Sequence, residues 1–253
     1  MKKIRLYSEP VYLFATVLLA LAVAMLSATD FGISMIVAPA YLLSARLPVL
    51  SFGQAEYVIQ AGLFVLFCLV MRRFRVVYLS SFLTCLIYGA ILDLWRLLPP
   101  FNPAVTTPGS MALPWRVGMF VLGVLLTAFS IALFFRTYLY PQVYDFFVKG
   151  VSERYHLKRA VFKTVFDLSC LAAGTAMTLL FFGRFVGIGW GTLVMALCNG
   201  TLIGLCGRVL DRFFTVTPLF PRFAARFALS EAPAQTATAE DTAVTEQEPA
   251  SRH

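Results

Sequence analysis

The chain is short of charge. Only 13% of its 253 residues are Asp, Glu, Lys or Arg, about half the share of an ordinary soluble domain. Histidine is almost missing, with two residues, and neither stands near a cysteine. The five cysteines, Cys68, Cys85, Cys170, Cys198 and Cys206, fall inside apolar runs, and no two form a CxxC pair. These absences remove a metal centre and a disulfide framework from the reading, because both need closely spaced donors or paired thiols. Isolated cysteines in apolar runs read as small packing residues. There is no Gly-rich phosphate loop ending in Lys-Ser or Lys-Thr, and Ser34, Ser80 and Ser81 have no base placed to activate them. Neither an enzyme nor a cofactor is expected, since the groups such chemistry needs are missing.

What the chain has instead is apolar mass. Hydrophobic residues make up 59%, including 24 Phe, and the mean hydropathy is +0.79. That composition belongs to an integral membrane protein, with the lipid bilayer as its solvent. The net charge of +8 does not argue for nucleic acid, which is bound through a basic patch on a soluble surface. Here the bases stand at the ends of apolar runs.

Six such runs, at residues 11–28, 55–71, 76–95, 115–135, 161–182 and 189–209, predict transmembrane helices of about 20 residues. The first follows MKKIR and has the look of a signal peptide. Its length, the lack of a small-x-small site before Asp30 and a counterpart later in the chain favour a retained helix, with cleavage as the alternative. Residues 31–44, FGISMIVAPAYLLS, are too short and broken to span and too apolar for a surface loop. They read as a half-helix broken at Pro39. Five prolines make residues 96–114 a loop. Residues 136–159 mix aromatics and charges and predict an amphipathic interfacial helix. The segment 230–253, rich in Ala, Thr, Pro and Glu without aromatics, predicts a disordered tail behind a membrane domain of residues 1–229.

Charge bias orients this map. With the N-terminus inside, the outer segments hold only Arg46, Arg96, Arg116 and Arg184 of the 21 Lys and Arg. By the positive-inside rule both termini are expected to be cytoplasmic, in a bacterial cell membrane. The three tryptophans, Trp95, Trp115 and Trp190, all fall at the outer ends of predicted spans, where the interface favours them.

The order span, broken segment, span, span occurs twice. Residues 18–34 correspond to 125–141 at an offset of 107, and YGAILDL at 88–94 to NGTLIGL at 199–205 at an offset of 111. Three spans per repeat is an odd number, so the second repeat (115–213) inserts upside down relative to the first (11–98). Inverted repeats with broken helices are a plan used by secondary transporters.

At these residues the chain resembles a known family. GISMIVAPAYLLS, SFGQAEYVIQAGLFVLFCLVMRRF (51–74), SSFLTCLIYGAILDL (80–94) and GIGWGTLVMALCNGTLIGL (187–205) resemble the YczE/YitT-like bacterial membrane proteins, across roughly residues 13–214. The resemblance implies a multi-pass helical membrane protein suspected of transport, and carries over no catalytic residue. The charged second broken segment, YPQVYDFFVKG, departs from the pattern.

Polar groups inside spans are costly, and each is a candidate for function. Glu56 and Gln60 share a helix face near an outer helix end, where a carboxylate also suits a solvated N-terminus and its dipole. Asp93 stands three residues before Arg96, as an interfacial ion pair or as a cation-binding carboxylate. Asp167 lies within the fifth span, four residues after Lys163, so it is either a pair with a snorkelling lysine or a coupling-ion site. Asn199 sits mid-span, with Tyr88 as its repeat partner; Gly89 and Gly200 follow them, and Ser34 lies in the first broken segment. Gly200 and Gly204 form a GxxxG, which reads as close helix packing. His156 reads as solvated. The expectation is an all-α, polytopic membrane helix bundle of six transmembrane helices in two inverted three-helix repeats, each with a half-helix. Its leading function is a secondary transporter or permease for an ion or small molecule. The substrate path would lie between the third and sixth spans and the two broken segments. The rival is a membrane interaction or regulatory protein with no substrate path.

Overall fold

The structure is a computed structural model that describes residues 4–72, 79–107, 109–139 and 142–221. Among these residues eight helices follow one another: α1 (Ser8–Thr29), α2 (Ala38–Arg46), α3 (Phe52–Met71), α4 (Leu79–Trp95), α5 (Leu113–Phe134), α6 (Val143–Arg154), α7 (Arg159–Phe182) and α8 (Trp190–Phe213). The helices α1, α3, α5, α7 and α8 are long and apolar enough to cross a membrane. The chain is thus an all-α integral membrane protein. Within the described residues α4 has 17 residues, shorter than the expected third span, whose start at 76–78 lies outside them. The tail at 230–253 also lies outside the described residues.

α1 and α5 form the centre. Small residues on α1, among them Ala15, Ala20 and Ala24, are fully buried and let the two backbones approach, as apolar helices pack in lipid. The pair is antiparallel. Tyr12 meets Phe134 edge-on at one end, Gly123 faces Leu26 further along, and Arg116 stands 4.0 Å from Asp30 at the other end. Arg116 also donates from Nε to the Thr29 carbonyl at 2.8 Å, satisfying one of the C-terminal carbonyls a helix leaves open. α4 and α8 flank this pair, α4 on α1 and α8 on α5. The short helices α2 and α6 leave α1 and α5 at opposite faces. α2 packs on α3 and α7, and so does α6.

Two expectations about the broken segments change. Pro39 does not break a helix; it stands at the second position of α2, where its missing N–H would be unpaired anyway. The break comes earlier, where Asp30 adopts φ 59° and Gly32 φ 108°. The α6 segment is no surface helix: Val143, Tyr144, Phe146, Phe147, Val148 and Val151 are all buried. Phe146 and Phe147 close on Phe67 of α3, at centroid distances of 4.8 and 6.1 Å.

The tryptophans divide. Trp115 and Trp190 are largely exposed at the starts of α5 and α8. Trp95 is half-buried and donates its indole N–H to the Val17 carbonyl, halfway along α1, at 3.3 Å. That bond ties the end of α4 to α1. One element escaped the sequence reading altogether. Residues Ile4–Tyr7 (β1) and Phe214–Thr217 (β2) form a parallel two-stranded ribbon, so both ends of the helical domain lie at one face. Glu9 reinforces it, accepting from Tyr138 Oη at 2.7 Å and from the backbone N–H of Leu219 at 3.0 Å.

Candidate functional site

The two broken segments dock where polar backbone needs partners. Leaving α1, the chain exposes groups that no helix satisfies, and such groups within a membrane must be paired inside the protein. Ile33 N donates to Gly187 O at 3.1 Å, Gly191 N to Phe31 O at 2.7 Å, and Thr192 Oγ1 to Ile33 O at 2.8 Å. Glycine is required for this approach: a Cβ on Gly32 would stand 2.7 Å from Gly189 N, and one on Gly189 would stand 2.6 Å from Phe31 O. The Gly-rich start of α8 is therefore the receptor for the first broken segment.

These elements border a cavity of about 440 Å³, within the range of small-molecule sites. Every helix except α2 and α3 lines it. Ser34 to Val37 come from the first broken segment, and Gln142, Tyr144 and Asp145 from the second. Tyr88 enters from α4, Lys163, Thr164 and Asp167 from α7, and Asn199 and Gly200 from α8. The remaining wall is mostly apolar, built of residues such as Leu19, Val23, Ile131, Phe134 and Met195. Of the nine residues singled out from the sequence, Ser34, Tyr88, Asp167, Asn199 and Gly200 meet here. Glu56, Gln60, Gly89 and Asp93 do not line it.

Its charged corner is a triad. Lys163 Nζ stands 3.5 Å from Asp167 Oδ1 and 3.5 Å from Asp145 Oδ1. The expected Lys163–Asp167 pair is present, but it is shared with a second carboxylate from α6. Both separations exceed the 2.7–2.9 Å of a charge-assisted hydrogen bond, and Asp167 Oδ1 is buried without a hydrogen-bond partner. Asn199 Oδ1 and the Tyr88 hydroxyl are likewise buried without one. Asp145 was missed because the charge in YPQVYDFFVKG reads as surface charge. The signal that finds it is an acid standing alone between aromatic residues that the fold then buries.

Behind the cavity lies a second polar group. Glu56 is fully buried, so the solvated helix end expected for it is overturned: the first turns of α3 are covered by α2, α4 and α6. Glu56 Oε2 accepts from Gln60 Nε2 and from Tyr144 Oη, both at 3.0 Å, while its Oε1 has no partner. Gln60 Oε1 accepts from Val143 N at 3.2 Å, capping α6. Gln60 and Glu56 thus hold the second broken segment in place, and Tyr144 carries their network to the cavity wall.

Asp93 is neither an interfacial pair for Arg96 nor a cavity carboxylate. It caps α3, accepting from Ser51 Oγ at 2.5 Å and Gly53 N at 2.8 Å. Arg96 lies 5.1 Å above the Phe52 ring, a cation–π contact, and among the described residues makes no ion pair. Gly89 serves the same interface, facing Gly53 so closely that a Cβ on Gly89 would stand 2.9 Å from Gly53 O. Gly200 and Gly204 pack against nothing: a Cβ at either would meet no atom within 4 Å, so their GxxxG is no helix-packing seam within this chain. α3 and α4 are pressed together, whereas α7 and α8, which follow each other in the same way, barely touch.

A family model, described as a family of unknown function (DUF6198), matches residues 6–208. The chain belongs to this family. The match runs from the start of α1 into α8 and includes the cavity and the Glu56 network. It does not name the YczE/YitT-like proteins. No curated protein and no solved structure matches the chain.

Proposed function

We propose that this DUF6198 protein is a secondary transporter or permease for a small molecule, and that the central cavity is its substrate site. The observation that carries the reading is the cavity's construction. Two broken segments from opposite faces, the third and last long segments and a charged triad converge on one chamber of about 440 Å³. A bundle that only needed stability would fill that space with side chains.

On this reading the chain is two inverted three-helix repeats. Exchanging α1 with α5, α2 with α6, α3 with α7 and α4 with α8 maps the pairs α1–α4, α2–α3 and α3–α6 onto α5–α8, α6–α7 and α7–α2, all of which pack. The tight α3–α4 pair has no packed counterpart in α7–α8. Alternating access in inverted repeats works by exchanging the conformations of the two halves, and that mismatch is what one of two exchanged states presents. Similarity of the quoted segments also sets the family beside the YczE/YitT-like membrane proteins. The positive-inside bias orients it with both ends in the cytoplasm.

Reconstitution in liposomes, with a solute panel and an imposed pH gradient, tests the reading. Substrate-selective flux that falls at least tenfold in Asp167→Asn is expected. Absence of flux for every class of solute would return the chain to the rival reading, a non-transporting membrane protein. Single cysteines at Leu98 and Glu153, labelled with an impermeant reagent in cells, check the orientation: Leu98 is expected to react from outside and Glu153 to be protected.

A further inference from the structure

The cavity's chemistry specifies what it holds. We infer that its ligand is a small organic cation carrying N–H donors on an apolar body, an amine or guanidine, and this rests on the transport reading only for what happens after binding.

Charge comes first. The lining carries two carboxylates, Asp145 and Asp167, and one ammonium, Lys163, which stands 3.5 Å from each. Among the described residues one negative charge is left over, and the single lining cation is already shared between two partners. An anionic ligand would find no free positive group.

The hydrogen-bonding balance points the same way. Asp167 Oδ1 has only the Lys163 ammonium at 3.5 Å, Asn199 Oδ1 is a buried acceptor with no hydrogen bond, and Tyr88, 1% exposed, has a hydroxyl with no hydrogen bond. Buried polar atoms left unpaired are costly, and an ammonium or guanidinium brings several donors at once. Two of the hydroxyls that line it are committed elsewhere: Thr127 Oγ1 donates to Gly123 O at 2.8 Å and Tyr144 Oη to Glu56.

The size of the chamber and its walls exclude a bare inorganic cation. A metal ion needs six or so oxygen ligands at 2.0–2.6 Å, and among the described residues no group of three or more His, Cys, Asp or Glu could hold one. A bare ion would also leave most of 440 Å³ and its Ile131, Phe134 and Met195 wall unfilled. A ligand with an apolar body fills that wall.

Binding to the purified full-length chain in detergent, by titration calorimetry, tests this without flux. The probes are butylamine, phenethylamine, neutral 3-phenylpropanamide, 3-phenylpropionate and sodium chloride. Phenethylamine is expected to bind at least tenfold tighter than the amide and several-fold tighter than butylamine, with no binding of the carboxylate. Asp167→Asn is expected to weaken it tenfold or more. Lys163→Gln, which removes the competing cation, is expected to tighten it several-fold, a gain that a misfolded variant cannot produce. Binding of the carboxylate as tight as the amine, saturable binding of sodium alone, binding of neither amine, or loss of affinity in Lys163→Gln would each overturn the inference. Amines that bind but are not carried into liposomes would refute transport and leave the site standing. Flux of an anion with no amine binding would do the reverse.

Discussion

Gly200 and its repeat partner Gly89 give the sharpest test of an exchanging pair of halves. In half one the α3–α4 seam is closed at glycine. A Cβ added at Gly53 would lie 2.7 Å from the Gly89 carbonyl carbon and 2.6 Å from Asp93 Oδ2. Carbon atoms rest at 3.5–4.0 Å, so Gly53→Ala must part the helices by roughly 1 Å. Overpacking of that kind costs about 1–3 kcal/mol. In half two a methyl at Gly200 meets nothing within 4 Å, and Ala is better than Gly in a helix by about 0.5–1 kcal/mol. Gly200→Ala should therefore raise the melting temperature in detergent, while Gly53→Ala lowers it. On exchange, α7 and α8 would close as α3 and α4 are closed, and the Gly200→Ala methyl would then meet the same obstruction. A penalty of about 1–3 kcal/mol lowers occupancy of that state roughly 5- to 150-fold. Spin labels at Leu168 on α7 and Leu197 on α8, both exposed, read this directly by electron–electron resonance. The wild type is expected to show a long and a short distance, and Gly200→Ala the long one alone. A short-distance population unchanged in Gly200→Ala, or no second population in the wild type, would refute the exchange.

Two further outcomes test the scaffold. Glu56→Ala removes the 3.0 Å acceptor of both Gln60 Nε2, which keeps only Gln142 Oε1 at 3.5 Å, and Tyr144 Oη in a fully buried setting, and a buried polar group left unpartnered costs about 1–3 kcal/mol. A clear loss of stability by chemical denaturation is expected, whereas Glu56→Gln, which keeps a carbonyl acceptor, should lose less than half as much. Phe67 is fully exposed to protein and not at all to solvent, closing on Phe146, Phe147 and the Gly150 backbone. Phe67→Ala should cost about 3–5 kcal/mol and release α6, read as faster proteolysis between 136 and 158.

Helix positions were legible in the sequence because in a membrane apolar length alone dictates a span. The boundaries of α1, α5, α7 and α8 fall within a few residues of the apolar runs. The short helices were visible as interruptions, but not their depth. Aromatics and charge in 143–154 look the same whether the helix lies on a surface or between α3 and α7. The polar candidates divide by a rule the sequence does not contain. Asp167 and Asn199 point into the cavity, while Asp93, in an equally apolar span, caps a neighbouring helix 40 residues earlier in the chain. Burial of Glu56 depends on three other helices covering its turn, and GxxxG at Gly200 depends on a partner that α7 does not supply. Nor could the ribbon be foreseen, since IRLY and FTVT are too short to carry a strand signal of their own.

That ribbon has a consequence for biosynthesis. β1 is made before the eight helices and pairs with β2 some 210 residues later, Ile4 against Phe214. α1 is the most buried of the long helices, yet its main partner, α5, lies about 100 residues downstream. The first helix therefore enters the bilayer with its small-residue face exposed to lipid, and waits there while three more helices are inserted. β2, made after α8, then seals β1, so a chain truncated before residue 214 would keep most of these helices and lose that closure.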